Sequence, residues 1–186
     1  MLNEIFIFDD IIDKQSQKNI QDIIFNKIKW QYISDVTSSD NKQQRPGFNY
    51  HFITDNKNIY EWHTEMMTIV NAACNKINFK IKECIKGRSF LQLPLNLKDR
   101  SIDAPHVDLM IPHLVVLYYV NDNEAQTIIY EDKFESIETR PKISDLKIKQ
   151  KITPKQGRVV LFNGLHWHTA EQPEHNVRSI INYDIV

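Results

Sequence analysis

Residues 106–120 read HVDLMIPHLVVLYYV and join a short polar motif to a long apolar run. In an extended strand alternate side chains share a face, so His106 and Asp108 point the same way. One imidazole and one carboxylate on the same face can bind a single metal ion. The run 114–120 is rich in Val, Leu and Tyr, which favours a strand. The stretch therefore predicts a β-rich fold that carries a metal-binding pair.

Further strand-like runs recur between polar turns throughout the second half of the chain. A series of short strands is typical of an antiparallel sandwich or barrel. We interpret the chain as an α+β, mainly β protein, a double-stranded β-helix (jelly roll) with N-terminal supporting helices. The predicted strands cover 89–97, 106–108, 114–120, 127–130, 147–152, 158–162 and 179–186.

Two amphipathic helices are predicted in the first half of the chain, the first of them capped by Asp13 or Ser16. Residues 1–87 are therefore expected to be mostly helical scaffold with short strands at 5–8, 30–33 and 48–53, and 88–186 the jelly-roll core. Both belong to one domain that spans 1–186, a length that suits a single core. The apolar stripes of the helices are Ile20, Ile23, Ile24 and Ile28, then Ile59, Trp62, Met66, Ile69, Val70 and Ala73.

Composition argues against several classes of partner. The net charge of −1 gives no basic excess, so nucleic-acid binding is not expected. No stretch approaches the roughly 20 apolar residues of a membrane-spanning helix, and residues 1–4 lack the features of a signal peptide. Cys74 and Cys84 are expected to be ordinary thiols of a reducing compartment, which predicts a cytoplasmic protein. Nothing in the sequence specifies an oligomeric state.

A third metal ligand must come from another part of the chain. Residues 165–170, Leu-His-Trp-His-Thr-Ala, offer His166 and His168, which can face the same way in a strand. Two histidines and one carboxylate on one side of an ion form the facial triad of non-haem Fe(II) oxygenases. Arg178 follows in an apolar run, and its planar fork suits the carboxylate of a co-substrate.

Five motifs follow one another in the second half of the chain: His106-x-Asp108, LYYVN at 117–121, PKQGRVVLF at 154–162, HTAEQP at 168–173 and Arg178-Ser179. Their order and spacing resemble the 2-oxoglutarate/Fe(II)-dependent dioxygenases, and within them the prolyl-4-hydroxylase-like branch. The jelly roll of that family agrees with the fold predicted above. The chain departs from many members of the branch at 121–127, where a threonine is present but the Gly-Gly pair is absent.

The resemblance implies a role for each candidate residue. His106, Asp108 and His168 would hold Fe(II). His168 is preferred to His166 because the Thr-Ala-Glu-Gln-Pro that follows it matches the turn after the distal histidine of the family. Arg178 would bind the distal carboxylate of 2-oxoglutarate. Reaction with O2 would then hydroxylate a peptidyl or small-molecule substrate and release succinate and CO2.

Other residues are candidates for the pocket around the metal. Tyr119 either hydrogen-bonds the same carboxylate, as the resemblance implies, or is a core aromatic. Asn182 shares a strand face with Arg178 and is a candidate for completing the carboxylate site. Gln92 and Asn96 either line the mouth of the barrel or face water.

Alternative functions remain open from the sequence. One is a jelly-roll (cupin-like) metal-binding protein without 2-oxoglutarate turnover, against which Arg178 argues. Another is a structural jelly roll whose metal triad is accidental. An alkylated nucleobase as substrate has no support in the charge balance, and the substrate itself is not readable. His113 is expected to be structural, and 131–150 a solvated excursion or a lid.

Overall fold

Two antiparallel β-sheets pack against each other in the computed structural model, which describes residues 4–36, 45–95, 102–136 and 141–186. The helices are α1 (Lys14–Asp22), which continues into a π-helical turn (Ile23–Lys27), and α2 (His63–Lys76); a 3-10 turn covers Ile143–Asp145. The strands are β1 (Phe6–Phe8), β2 (Gln31–Ile33), β3 (Gly47–Thr54), β4 (Asn58–Ile59), β5 (Cys84–Gln92), β6 (Leu114–Tyr119), β7 (Thr127–Lys133), β8 (Ile148–Ile152), β9 (Val159–Asn163), β10 (His166–Ala170) and β11 (Arg178–Ile185).

The larger sheet has the strand order β1-β9-β6-β11-β5-β3-β2, with β4 also paired to β3, and the smaller sheet has the order β10-β7-β8. Most paired strands of the described residues are not consecutive in sequence, the exceptions being β2-β3, β3-β4 and β7-β8, and after β6 the chain crosses repeatedly between the two sheets. This architecture confirms the predicted fold class, a mainly β protein of jelly-roll type with a few supporting helices.

Strand β6 explains why the run 114–120 is apolar without interruption. On one face Leu114, Val116 and Tyr118 pack with α1 and α2, and on the other Val115 and Leu117 pack with the smaller sheet. A strand covered on both faces has no solvent side to keep polar. The predicted helix stripes are buried in the first of these clusters, except that Ile59 lies in β4 and is exposed and Trp62 precedes α2 and is partly buried. Asp13 caps α1 by accepting from two backbone amides.

Several elements differ from the sequence prediction. Strand β5 begins at Cys84, so the predicted division between residues 87 and 88 falls inside a strand. Strands β2 and β3, from the first half, extend the larger sheet beyond β5. His106 forms a single bridge to His168 rather than part of a three-residue strand. The first half supplies strands as well as helices, as predicted, and these strands belong to the larger sheet because β3 pairs with β5 along most of the length of β5.

The charged segment 131–150 is more regular than an excursion. Its first residues continue β7 to Lys133, and its last residues begin β8, which pairs with β7. Residues 137–140 lie outside the described residues. No described helix is long and apolar enough to cross a membrane.

Gly164 lies against the ring of His113, at the turn that precedes β10. The backbone N–H of Gly164 donates to the carbonyl of His113 at 2.9 Å, and a Cβ at this position would collide with the imidazole. His113 is buried, and its Nδ1 bonds the carbonyl of Ile111 at 2.7 Å, as expected for a structural histidine. The turn and the imidazole therefore depend on each other.

We expect Gly164→Ala to lower the free energy of unfolding by about 1–3 kcal/mol, because the new methyl group overpacks the turn. His113→Ala removes the obstacle at the cost of a cavity. The double variant should then be less destabilised than the sum of the two single variants. Urea unfolding of the four proteins measures this coupling, and strictly additive losses would show that the collision does not occur.

Candidate metal centre

His106 and His168 face each other across a two-bond backbone bridge. The N–H of His106 donates to the carbonyl of His168 at 2.9 Å, and the reverse bond measures 3.0 Å. Their ring centroids are 4.5 Å apart. Residue 106 is thereby placed directly opposite β10, so two imidazoles that are far apart in sequence are fixed side by side.

The carboxylate of Asp108 completes a group of three. Its Oδ1 lies 3.8 Å from Nε2 of His106, and its Oδ2 lies 3.4 Å from Nε2 of His168. One ligand atom from each of the three residues lies within 4.8 Å of the others. The structure therefore brings together the three residues that the sequence predicted as metal ligands.

The tautomers of both histidines suit metal binding. Nδ1 of His168 lies 3.0 Å from the carbonyl of His166, and Nδ1 of His106 lies 3.4 Å from the carbonyl of Ala104. A carbonyl can only accept, so each Nδ1 carries the proton and each Nε2 is left for the metal. Bonds of this kind orient the imidazoles of metal sites.

The surroundings of Asp108, His106 and His168 shift the pKa of each side chain in a different way. Burial alone would raise the pKa of Asp108, but Arg88 and the two histidines hold it well below its usual value. Desolvation and the neighbouring His168 lower the pKa of His106 to about 4. Desolvation opposes protonation of His168 too, but its bond to Asp108 outweighs this effect and raises the pKa. The ionised form of Asp108 and the neutral form of His106 are thus favoured, whereas Asp108 favours protonation of His168, so a metal competes with a proton for that imidazole.

His166 lies outside this group. Its Nδ1 bonds the carbonyl of Tyr130 at 2.8 Å, and its Nε2 lies 3.4 Å from Nζ of Lys149. The register between β10 and β7 shifts between His166 and His168, so the simple two-residue alternation is interrupted there. The two histidines therefore do not share the metal site, and the structure places His168 there.

Two side chains of the larger sheet bind Asp108. Nη2 of Arg88 forms a salt bridge with Oδ1, and Nδ2 of Asn182 donates to Oδ2 at 2.9 Å. Asn182 lines the same cavity as Arg178, but its amide group donates to Asp108, a predicted metal ligand. Sequence reasoning missed Arg88, because the pairing of β5 with β11 that brings it here has no local signal.

Arg178 is buried at the other end of the site. Its Nη1 donates to Oε1 of Gln92 at 2.7 Å, and its Nη2 donates to Oγ1 of Thr127 at 2.7 Å. The hydroxyl of Tyr119 also donates to Oγ1 of Thr127 at 2.7 Å. With both lone pairs of that oxygen occupied, the hydroxyl proton of Thr127 is left to donate to a ligand. Thr127 was not among the predicted site residues. The sequence did contain one indication of its role, because it is the family threonine that is present at 121–127.

Gln92 is held in one orientation by a second network. Its Nε2 donates to Oδ2 of Asp103 at 3.0 Å, so its oxygen must face Arg178. Oδ1 of Asp103 accepts from Gln172 at 2.7 Å and pairs with the buried Arg45. Gln92 thus lines the pocket and supports the arginine. Asn96, predicted beside it, lies outside the described residues.

One cavity of about 460 Å³ joins the two ends of the site. His106, Asp108 and His168 line it together with Gln92, Thr127 and Arg178. Tyr119 is not in the wall; it lies behind Thr127, fully buried, which makes it both a core aromatic and a support for the pocket. The described residues of 131–150 contribute nothing to this wall, so they do not form a lid in this conformation.

Comparisons with known proteins bear on the fold. No protein-family model and no curated protein matches the chain. An oxidoreductase of the 2OG-Fe(II) oxygenase family from Burkholderia pseudomallei has a TM-score of 0.67 at 11% identity, and the match covers 97% of this chain and 84% of that one. A prolyl hydroxylase from Trichoplax adhaerens has a TM-score of 0.63 at 14% identity, with 98% and 83% covered.

A third solved structure shows that the likeness is not confined to hydroxylases. The α-ketoglutarate-dependent epimerase SnoN of nogalamycin biosynthesis has a TM-score of 0.68 at 11% identity, and the match covers 98% of this chain and 78% of that one. The chain therefore has the fold of the 2OG-Fe(II) oxygenases, prolyl hydroxylases among them. The predicted resemblance is confirmed at the level of the fold.

We expect His168→Ala to weaken binding of Mn(II) or Fe(II) by more than about 100-fold, beyond the usual effect of an outer-shell partner. His166→Ala is the matched control, two residues away on the same strand, and should leave metal affinity unchanged. Anaerobic titration calorimetry measures both. Loss of metal in the His166 variant alone would overturn the assignment of the third ligand.

Proposed function

We propose that this chain is a non-haem Fe(II)- and 2-oxoglutarate-dependent dioxygenase that hydroxylates a peptidyl or small-molecule substrate. The observation that carries the proposal is the single cavity, which has a His-Asp-His group in one part of its wall and a buried arginine in another. A cupin-like metal protein without 2-oxoglutarate would have no use for Arg178 at that position.

His106, Asp108 and His168 would hold the iron, and their donor atoms fit it. Two imidazole nitrogens and one carboxylate oxygen are the ligands of the facial triad of non-haem iron oxygenases. The two Nδ1–H groups, fixed on backbone carbonyls, keep both Nε2 atoms directed at the site. Because the carboxylate ligand is present, no position is set aside for a halide, and this favours hydroxylation over halogenation.

Arg178 and Thr127 would hold the distal carboxylate of 2-oxoglutarate. A guanidinium fork and a hydroxyl donor converge there, and a carboxylate can accept from both. Tyr119 would support this site by orienting Thr127, because the hydroxyl of Tyr119 already donates to Oγ1 of Thr127. Asn182, predicted for this carboxylate, would instead serve the metal end through Asp108.

When bound, iron and the 2-oxo acid supply the oxidation: substrate C–H, O2 and 2-oxoglutarate become the hydroxylated product, succinate and CO2. The protein orients the co-substrate and shields it, since Arg178 is only 3% exposed. The side chain of His106 keeps 47% of its exposure, so this side of the site stays open to a substrate. A peptide accompanies one solved neighbour and nogalamycin RO another, which supports both classes of substrate.

The test is anaerobic titration of the Fe(II)-loaded protein with 2-oxoglutarate, followed by its visible spectrum. A new absorption band should appear only when metal and 2-oxo acid are both present. Succinate should form when air is admitted with a substrate. If the iron protein shows no spectral response at saturating 2-oxoglutarate, the proposed function is wrong.

Arg178→Ala should raise the 2-oxoglutarate concentration for half-saturation at least about 30-fold, because losing one member of a buried charge pair costs about 2 kcal/mol or more. Metal affinity should not change. Arg158→Ala is the matched control, since that guanidinium binds Asp9 at the surface. Equal co-substrate affinity in the two variants would exclude Arg178 from the site.

Gln92→Met should weaken 2-oxoglutarate binding by about 10-fold, because Arg178 loses a charge-assisted bond of about 1.5 kcal/mol that fixes its fork. Gln172→Met removes a different donor from Asp103 without touching Arg178, and should bind the co-substrate normally. The spectral titration separates the two variants. Equal weakening in both would mean that the whole Asp103 network, rather than Gln92, positions the arginine.

A further inference from the structure

Two neighbouring residues of the larger sheet divide the oxygens of Asp108 between them. Arg88 on β5 and Asn182 on β11 are directly opposite in the register of the two strands. Arg88 takes Oδ1, and Asn182 takes Oδ2. The carboxylate is therefore held at both ends by a rigid sheet before any metal arrives.

The contacts of Arg88 and Asn182 with Asp108 differ in strength. Both bonds end on an ionised carboxylate, but the bond from Arg88 also joins two opposite charges, whereas the bond from Asn182 comes from a neutral amide and lacks that attraction. The salt bridge is also shielded from water, with the side chains of Arg88 and Asp108 only 13% and 2% exposed. The guanidinium is further restrained by the ring of Phe90, 4.9 Å away. Oδ1 is thus the more firmly retained oxygen.

This difference matters for a metal that needs free positions. A carboxylate that chelates through both oxygens fills one more position on the ion than a carboxylate that binds through one. We propose that Arg88 is a positioning residue that holds Oδ1 against its guanidinium and so fixes the orientation of the carboxylate, which lets Asp108 turn a single oxygen to the metal and leaves room for the co-substrate. This inference rests on the proposed function of the same site.

The competing explanation is that Arg88 only supplies positive charge to a buried carboxylate. Lys86 separates the two explanations, because it lies two residues away on β5 and its charge also acts on Asp108, to which it makes no hydrogen bond in the described structure. A purely electrostatic role would be shared in part by Lys86, whose charge acts on Asp108 more weakly than that of Arg88. A positioning role depends on the directed bond from the guanidinium and is specific to Arg88.

The experiment compares the wild type with Arg88→Met, Arg88→Lys and Lys86→Met. Metal affinity is measured with Mn(II), and 2-oxoglutarate affinity with the anaerobic Fe(II) protein. The visible spectrum of the Co(II) protein without co-substrate reports the number of ligands. Thermal melting confirms that each variant is folded, and Arg88→Lys keeps a buried charge should the methionine variant fail to fold.

Arg88→Met should bind metal no more weakly than the wild type, because a cation has been removed from beside the ion. It should bind 2-oxoglutarate about 10-fold or more weakly, at the lower end of the effects of removing an outer-shell partner, because the second oxygen of Asp108 then competes with the co-substrate for a position on the ion. Its Co(II) spectrum should change, Arg88→Lys should recover part of the co-substrate affinity, and Lys86→Met should match the wild type.

A loss of co-substrate affinity in Lys86→Met as well as in Arg88→Met, even a smaller one, would overturn the inference in favour of a charge effect. An unchanged Co(II) spectrum in Arg88→Met would overturn it as well. If the wild type binds metal but not 2-oxoglutarate, the proposed function fails, while the Co(II) spectra still decide whether Arg88 limits Asp108 to one oxygen.

Discussion

The site depends on the two backbone hydrogen bonds between His106 and His168. They tie an irregular segment to the smaller sheet at one point, and the side chains of both residues are fixed by that single bridge. The segment around His106 is also held to β10 by Asp103, whose carbonyl accepts from the hydroxyl of Thr169 and whose N–H donates to the carbonyl of Ala170. More strand pairing is therefore not needed to fix its position. Asp108 then reaches across to the larger sheet. The predicted metal ligands His106, Asp108 and His168 therefore lie at the junction of the two sheets, and the packing of the sheets sets the distances between them.

Charged groups at this junction are buried away from water, which raises the free energy of the folded state unless each charge has a partner. Asp108 is compensated by Arg88 and Asn182, and Asp103 by Arg45 and Gln92. Asp184, buried nearby on β11, is handled differently. Desolvation, with repulsion from Asp108, raises its pKa to about 8, so this carboxyl is protonated near neutral pH. An apolar interior would be simpler to stabilise, so this arrangement indicates that the cavity between the sheets serves a ligand.

Sequence periodicity predicted the jelly roll well because alternation and β-branched runs are local properties. The three metal-group residues were also predictable, since an H-x-D pair and a distal histidine keep recognisable neighbours in sequence. Arg88 and the orientation of Asn182 were not, because each acts through a partner brought close only by strand pairing. His166 remained ambiguous for a related reason: the register shift that turns it away is a property of β10 and β7 together.

The remaining question is where specificity resides, since neighbours of this fold include both a hydroxylase and an epimerase. A shared fold does not fix the reaction, so the difference must lie in the walls of the cavity. Here part of that wall comes from Ile33, Val36 and Asn49. Val36 can lie against β3 because Gly47 has no Cβ to meet it. These residues belong to the first half of the chain, which the sequence predicted to be scaffold. Under the proposed function, that half shapes the substrate side of the pocket, and the second half carries the metal and co-substrate residues.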